Sequence, residues 1–264
     1  MEIPDEIRKC VAFVGCQKAD GRRYYLGTAF FVGRRRGEND YSTYLVTAGH
    51  VIRDIESSGS RSVLLRVNRK QTGAEWISTR IDDWTRSADR RTDVALIPHQ
   101  IGDELDHLAY PLEGVMTLLV AESNRVGVGD DVFFPGLFSR HTGLQNNIPI
   151  VRIGNIAAMP HEKVDTSLGF MDAYLIEARS IGGLSGSPVF VYLGGGRRVR
   201  GFSTEPVRCY LIGLVHGHFR VNDSAGDGDE GLLAAETVNN MGIAIVVPVD
   251  KVLDLILQTE KPNP

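Results

Sequence analysis

Short segments of strand-forming residues run along the whole chain, and this pattern limits the folds that it can adopt. They are rich in valine, isoleucine, tyrosine and phenylalanine, and clusters of glycine, asparagine, aspartate and proline separate them. Many short strands favour antiparallel barrels or sandwiches over a parallel sheet covered by helices. The predicted strands are Val11 to Cys16, Tyr24 to Val32, Tyr41 to Thr47, Ser62 to Val67, Val94 to Ile97, Pro149 to Ile156, Ala173 to Ala178, Pro188 to Tyr192, Tyr210 to Val215 and Met241 to Val247.

One helix closes the predicted fold. The clearest helical period covers Val249 to Gln258, where apolar residues recur on one face and Asp250 is placed to cap the start. A boundary between two halves is predicted near the middle of the chain, over residues 112–128. We therefore expect an N-terminal lobe over residues 1–120 and a C-terminal lobe over residues 121–264 of one domain.

Charge and cysteine usage narrow the classes of partner and compartment. A formal net charge of -4 and a pI near 6.0 give no basic field, so no nucleic-acid partner is expected. Apolar stretches such as Met241 to Val249 are shorter than a membrane helix requires, and the acidic N-terminus does not resemble a secretory signal. Three cysteines without metal-ligand spacing indicate thiols in a reducing compartment. We expect a cytoplasmic protein with no membrane association and no metal.

The stretch Ile181 to Phe190 (IGGLSGSPVF) places glycines and serines directly before an apolar strand. A simple turn is one interpretation. The other is a tight loop that presents a serine nucleophile while backbone N–H groups converge on one point.

A serine nucleophile needs a base and a group that orients the base, and the chain offers a candidate for each. His50 ends the run YLVTAGH, and Asp93 lies in RTDVALI, where a charged loop enters an apolar strand. Taken singly, such residues are more often surface or turn residues. Together with Ser185 they follow the chain order His, Asp, Ser, which is the order of chymotrypsin-type enzymes. The α/β-hydrolase motif does not fit, because Ser187 stands where its second glycine is required.

On these motifs the chain resembles the chymotrypsin/trypsin-like serine peptidase family. Further segments that resemble it are GTAFFV at 27–32, LIGLVH at 211–216 and GIAIVVP at 242–248. The resemblance implies an all-β fold of two six-stranded antiparallel barrels with a C-terminal helix. It also implies hydrolysis of protein or peptide substrates through an acyl-enzyme, without a metal or organic cofactor. Ser185 would be the nucleophile, His50 the general base and acid, and Asp93 the orienting group, with an oxyanion hole at the N–H groups of Gly183 and Ser185.

Departures from the family place the chain nearer to its bacterial intracellular members. Leu184 stands where secreted digestive members carry the aspartate that pairs with a newly cut amino terminus, and the secreted disulfides are missing. For the substrate pocket, the resemblance offers Arg179 as a residue of the floor, although an outward-pointing arginine remains an alternative. His216 lies one residue later than the pocket histidine of glutamyl endopeptidases. Such a shift reverses the face of a strand, so an approach of His216 to Asp93 or to the cleft rim stays open.

Two rival functions remain. One is a peptidase-fold binding or signalling module that no longer cuts, and the other is a protease that stays inactive until a protein partner orders its loops. The acidic segment Asn222 to Glu230 offers oxygen ligands for calcium, but it lacks a regular ligand spacing and favours a solvated insertion.

Overall fold

The structure is a computed structural model that describes residues 3–260 except 19, 38–39, 100–101, 179–182, 195–208 and 222–238. Arg179 and the acidic segment Asn222 to Glu230 therefore lie outside the described residues. The helices are α1 (Asp5–Arg8), α2 (Gly49–Ser57), α3 (Leu118–Ser123) and α4 (Val249–Thr259). The strands of the first lobe are β1 (Val11–Gln17), β2 (Arg23–Arg35), β3 (Tyr41–Ala48), β4 (Ser62–Asn68), β5 (Ala74–Arg80), β6 (Thr85–Arg86), β7 (Val94–Pro98) and β8 (Tyr110–Pro111). Those of the second lobe are β9 (Asp131–Gly136), β10 (Ile150–Ala158), β11 (Lys163–Thr166), β12 (Gly169–Asp172), β13 (Tyr174–Glu177), β14 (Pro188–Tyr192), β15 (Cys209–Val221) and β16 (Asn239–Pro248).

The first lobe is one eight-stranded sheet in the order β5-β4-β1-β2-β3-β7-β6, with β8 added in parallel to β2. Long central strands such as β2 are buried through their middle: Gly27 to Gly33 are all buried, while the first and last residues of the strand are exposed. The strand order has β5 and β6 at its ends, and together with the closed barrel of the second lobe this sheet is consistent with the double-barrel arrangement expected from the sequence. A single 3₁₀ turn at Ile81–Asp83 follows β5, and β6 is only 2 residues long, so this part of the ladder is short.

The second lobe is a closed barrel in the order β10-β13-β16-β15-β14-β9, with the separate hairpin β11-β12 on its outside. This lobe has the expected number of strands. Its interior holds large buried side chains that include Phe134, Tyr174 and Val189. The all-β fold of mainly antiparallel strands with a closing helix is confirmed.

Helix α4 returns from the second lobe and packs against both lobes, touching β15 and β16 as well as β6 and β7. Its apolar stripe explains this position, because Val252, Leu255 and Ile256 are buried. The hairpin of β2 and β3 is tied to the end of this helix near its tip. Arg34 and Arg36 both form ion pairs with Glu260.

Two observations bear on the expectations about cysteine and membranes. Cys10, Cys16 and Cys209 are all buried, and none is part of a disulfide. Within the part of the chain that the structure describes, no helix is long and apolar enough to cross a bilayer.

Candidate active site

His50 is the second residue of α2, at the point where β3 passes into the helix. The residue at the N-cap position before the helix, Ala48, has no polar side chain that could cap it. Asp93 caps it instead: its Oδ1 accepts the backbone N–H of His50 at 2.8 Å, and its carbonyl oxygen accepts the N–H of Gly49 at 2.9 Å. A negative charge at a helix N-terminus is favoured by the helix dipole. The contact therefore starts the helix and fixes the backbone that carries His50.

The carboxylate of Asp93 is fully buried and is held from several sides. Oδ1 accepts a second bond from Nη2 of Arg53 at 2.7 Å. Oδ2 lies 2.8 Å from Nδ1 of His50 and 2.5 Å from Nδ1 of His216. Asp93 follows a 3₁₀ turn and has φ 43° and ψ 41°, a left-handed conformation that costs a non-glycine residue about 1–3 kcal/mol. These bonds supply the compensation for that strain.

The same contacts set the charge of Asp93 and the tautomer of His50. Burial by itself raises the pKa of Asp93, but the hydrogen bonds from His216 and His50 outweigh it and hold the pKa below its ordinary value. The carboxylate is therefore ionised and acts only as an acceptor. The proton of a neutral His50 ring is then assigned to Nδ1, which leaves the lone pair of Nε2 available to accept a proton.

Ser185 lies in the nucleophile loop, residues 183–187, just before β14. Gly183 and Gly186 in this loop have φ of +101° and +84°, conformations that L side chains rarely adopt. The N–H of Gly186 donates to the carbonyl oxygen of Val215 at 2.7 Å, and the N–H of Val215 donates to that of Ser187 at 2.9 Å. The loop is thereby fixed to β15 at Gly186 and Ser187.

Thr28 of β2 fastens the nucleophile loop to the first lobe. Its N–H donates to the carbonyl oxygen of Ser185 at 2.9 Å, and its hydroxyl donates to that of Gly183 at 3.0 Å. The same hydroxyl accepts the N–H of Leu137 at 2.9 Å. One threonine thus positions the backbone on both sides of Leu184.

His216 connects the nucleophile to the acid. Its carbonyl oxygen accepts the hydroxyl of Ser185 at 3.3 Å, while its ring contacts Asp93 and lies edge-on to the ring of His50, with centroids 5.3 Å apart. The pairing of β15 with β16 shifts register between Val215 and Gly217, which makes His216 the extra residue of a β-bulge. Bulges redirect side chains, and this one turns the ring of His216 toward the first lobe.

The backbone N–H groups of Gly183 and Ser185 donate to no carbonyl within the described ranges. Neighbouring amides of the same loop do have partners, since the N–H of Ser187 donates to the carbonyl oxygen of Leu184 at 2.9 Å. Amides that have no carbonyl partner among the described residues are available to a ligand oxygen.

The structure brings together most of the residues selected from the sequence. His50, Asp93 and His216 are in direct contact, and Ser185 reaches this group through the backbone of His216. In the part of the chain that the structure describes, no hydrogen bond joins the Ser185 hydroxyl to His50. Catalytic hydrogen bonds are often long in enzymes without substrate.

Two residues of the site escaped the sequence reasoning. Arg53 follows His50 by three positions, a spacing that puts both on one side of a helix, but helix α2 itself was not predicted. Its buried residues Val51, Ile52 and Ile55 carried the helical period that would have revealed it. Thr28 gave no signal, because its partners lie far away in the chain.

His50, Asp93 and His216 are also of the residue types that bind metals, with candidate ligand atoms within 4.8 Å of one another. The distances from Oδ2 to the two Nδ1 atoms, 2.8 and 2.5 Å, are those of hydrogen bonds. Ligands around a tetrahedral zinc ion with bonds of about 2.0–2.1 Å would stand roughly 3.3 Å apart. The arrangement is that of an acid–base cluster.

Comparison with known proteins supports the fold. The chain matches no protein-family model, and no curated protein sequence is similar to it. Among solved structures, it is similar to the MamO protease domain from Magnetospirillum magneticum in its apo form, with TM-score 0.55 and 14% identity over 95% of this chain and 97% of that one. Protease A of Thermobifida fusca gives 0.42 and 15% over 94% and 95%, and the chymotrypsin of Cellulomonas bogoriensis 0.38 and 15% over 88% and 87%.

The chain therefore has the fold of chymotrypsin-like proteases, which confirms the resemblance inferred from its motifs. Its candidate site lies where the two lobes meet, because His50 and Asp93 come from the first lobe and Ser185 and His216 from the second.

Proposed function

We propose that the protein is a serine endopeptidase that hydrolyses peptide bonds through an acyl-enzyme. Ser185 is the nucleophile, His50 the general base and then acid, and Asp93 the group that orients His50. The N–H groups of Gly183 and Ser185 form the oxyanion hole. The substrate is a protein or peptide, and the chemistry uses no metal or organic cofactor.

The observation that carries this proposal is the bond between Nδ1 of His50 and the buried, ionised carboxylate of Asp93 at 2.8 Å. It joins segments far apart in sequence, and it leaves Nε2 as the proton acceptor of the ring. Burying a carboxylate costs desolvation energy that an apolar pair at the same place would avoid. A chain that has the His50–Asp93 pair next to a glycine-containing loop that carries Ser185 has the groups that acyl transfer requires.

The proposed reaction follows from these parts. Nε2 of His50 takes the proton of Ser185 as Oγ attacks the scissile carbonyl, and the carbonyl oxygen becomes an oxyanion at the N–H groups of Gly183 and Ser185. The imidazolium is stabilised by Asp93 and then gives its proton to the leaving amine. Water repeats the sequence on the acyl-enzyme and releases the second product. One oxyanion-hole donor contributes on the order of 3 kcal/mol to the transition state.

A fluorophosphonate probe tests the proposal, because it labels a serine only when its hydroxyl is activated. Labelling of the wild type and its loss in Ser185→Ala are expected, together with loss of peptide hydrolysis and an unchanged circular dichroism spectrum. Ser187→Ala is the matched control, since Ser187 lies in the same loop, is fully buried and has an Oγ without a hydrogen-bond partner among the described residues. Full turnover by Ser185→Ala would refute the assignment.

A second candidate is a peptidase-fold binding or signalling module that is silent, or that cuts only after a partner orders its loops. The observation that favours it is the hydrogen bond of the Ser185 hydroxyl to the carbonyl of His216 instead of to His50. The same probe separates the cases: a silent module stays unlabelled, and a partner-activated protease is labelled only when that partner is present.

Specificity and location stay predictions. Arg179 is proposed for the floor of the substrate pocket, and a cation there would favour an acidic side chain before the scissile bond. His216 is proposed as a second residue of this pocket, and its ring contacts Asp93. A digest of an unbiased peptide library tests whether acidic residues precede the cut. A cytoplasmic location in a bacterium rests on the thiols and on the missing zymogen and disulfide features.

A further inference from the structure

His216 occupies a position from which one residue touches both the nucleophile and the acid. Its backbone carbonyl receives the Ser185 hydroxyl, and its Nδ1 lies 2.5 Å from Oδ2 of Asp93. The side chain is 9% exposed, so it has lost most contact with water. A buried imidazole aimed at a carboxylate across the boundary between two lobes calls for an explanation beyond packing.

We infer that His216 is a positioning residue of the proposed hydrolysis, which holds the carboxylate of Asp93 in the orientation that His50 requires. The inference rests on the proposed function for its catalytic meaning, while the contact itself can be measured without any turnover.

The need for such a residue follows from how the two carboxylate oxygens are held. Oδ1 is tied to α2 by the N–H of His50 and by Arg53. Oδ2 must face Nδ1 of His50, and the donors that His50 and Arg53 supply all come from the first lobe. His216 adds a donor from the second lobe. Strand β15 also bonds to Gly186 and Ser187 through Val215. The same strand therefore positions both Asp93 and the nucleophile loop.

The β-bulge is what makes this arrangement possible. Side chains alternate between the two faces of a regular strand, and an extra residue interrupts that alternation. His216 is the extra residue, between Val215 and Gly217. Its ring reaches Asp93 while its carbonyl still faces Ser185.

The test uses two substitutions that differ in one donor. In His216→Asn the side-chain amide nitrogen stands close to the position of Nδ1 and can still donate, whereas His216→Leu keeps the volume and removes the donor. His161→Leu is the control, since this histidine is exposed and its ion-pair partner is Glu122. The first measurement counts downfield Nδ1–H proton resonances by NMR in the inactive Ser185→Ala background. Two such resonances are expected when His216 is present, and one in each of the variants His216→Asn and His216→Leu.

The second measurement is kinetic, on the chain with Ser185 present. His216→Leu is expected to lower kcat and the rate of fluorophosphonate labelling by about 10- to 100-fold with little change in KM. This is less than the roughly 10²–10⁴-fold that acid–base catalysis contributes, because His50 itself is retained. His216→Asn is expected to recover most of that loss.

The outcomes separate the two proposals. A single downfield resonance with His216 present, or a His216→Leu variant as fast as the wild type, overturns the inference and leaves the hydrolase intact. Absence of both hydrolysis and labelling in the wild type refutes the proposed function, and with it the catalytic role of His216. If His216→Asn is as slow as His216→Leu, the donor is not what matters and the inference is also wrong.

Discussion

Replacing Asp93 with asparagine removes the charge at the centre of the candidate site with almost no change of volume. The carboxylate accepts bonds on both oxygens, two on Oδ1 and two on Oδ2. An asparagine has one oxygen, so its NH₂ group must face either the pair of donors from α2 or the pair of imidazole nitrogens.

The magnitude can be estimated from what is left behind. Arg53 is 20% exposed and loses its counter-charge, and breaking a buried ion pair costs about 3–5 kcal/mol. Arg53 keeps some water, so we take the lower end and expect a loss of about 3 kcal/mol in the free energy of unfolding. That is a large part of the roughly 5–15 kcal/mol typical of a folded domain.

The dependence on pH has a defined sign. The pKa of Asp93 is lowered in the folded state by the bonds from His216 and His50, which exceed the opposing effect of burial. The stabilisation is therefore present above the unfolded pKa, about 3.9 for aspartate, and is lost as pH falls through the lower folded value. The difference between wild type and Asp93→Asn should stay constant from pH 7 to about 5 and narrow below about pH 4.

Urea unfolding followed by tryptophan fluorescence, repeated across this pH range, measures the difference directly. Asp172→Asn is the control, because Asp172 is 38% exposed and pairs with Lys251, and such surface pairs contribute about 1 kcal/mol or less. A loss of under about 1 kcal/mol for Asp93→Asn at pH 7, or a difference that grows toward acid, would contradict the reasoning.

Two further substitutions and reactions can be predicted. Gly186→Ala should destabilise the protein by about 3 kcal/mol or more and abolish labelling of Ser185, because a Cβ would lie 2.2 Å from the carbonyl oxygen of Thr28 at φ +84°. Gly21→Ala, at φ +77° but with open space around it, should cost only about 1–2 kcal/mol in thermal or urea unfolding, and equal losses would speak against the steric argument. Burial raises the pKa of Cys10 to about 12, so a maleimide at pH 8 should leave this thiol unmodified in the native protein and modify it in urea. Mass spectrometry of digests identifies the modified site. Modification of the native protein at the rate of the unfolded chain would contradict this prediction.

The strands could be predicted from the sequence where apolar residues form a continuous buried run. Pro188 to Tyr192 has the predicted bounds, and Tyr41 to Thr47 differs from β3 by one residue, since each pairs on both sides within a sheet. Strands β5, β6, β8, β11 and β12 were missed because they lie at edges, in an isolated hairpin or are very short, and tertiary pairing decides their state. Strand β9 was missed as well, although it is a mostly buried strand of the closed barrel. Helix α2 was missed for a related reason: its first turn is stabilised by Asp93, a residue from a distant segment.

The site shows the same division between local and distant information. The glycines around Ser185 and the residues His50 and Asp93 carry local patterns that sequence reasoning can use. The role of His216 depends on a bulge that inserts one residue into β15, and this register shift is set by pairing with β16. Sequence reasoning could state only that a one-residue offset would change the face, with Asp93 among the options left open.

The bonds from Thr28 to the nucleophile loop have a consequence for how the lobes can behave as separate pieces. Thr28 belongs to the first lobe, while Gly183, Ser185 and Leu137 belong to the second. The conformation of the nucleophile loop therefore depends in part on a residue that is distant in sequence. If the chain were cut between the lobes, the nucleophile loop of the C-terminal fragment would lose these bonds and its backbone would be less constrained, even if the barrel stayed intact. Reactivity at Ser185 would then report reassociation of the halves.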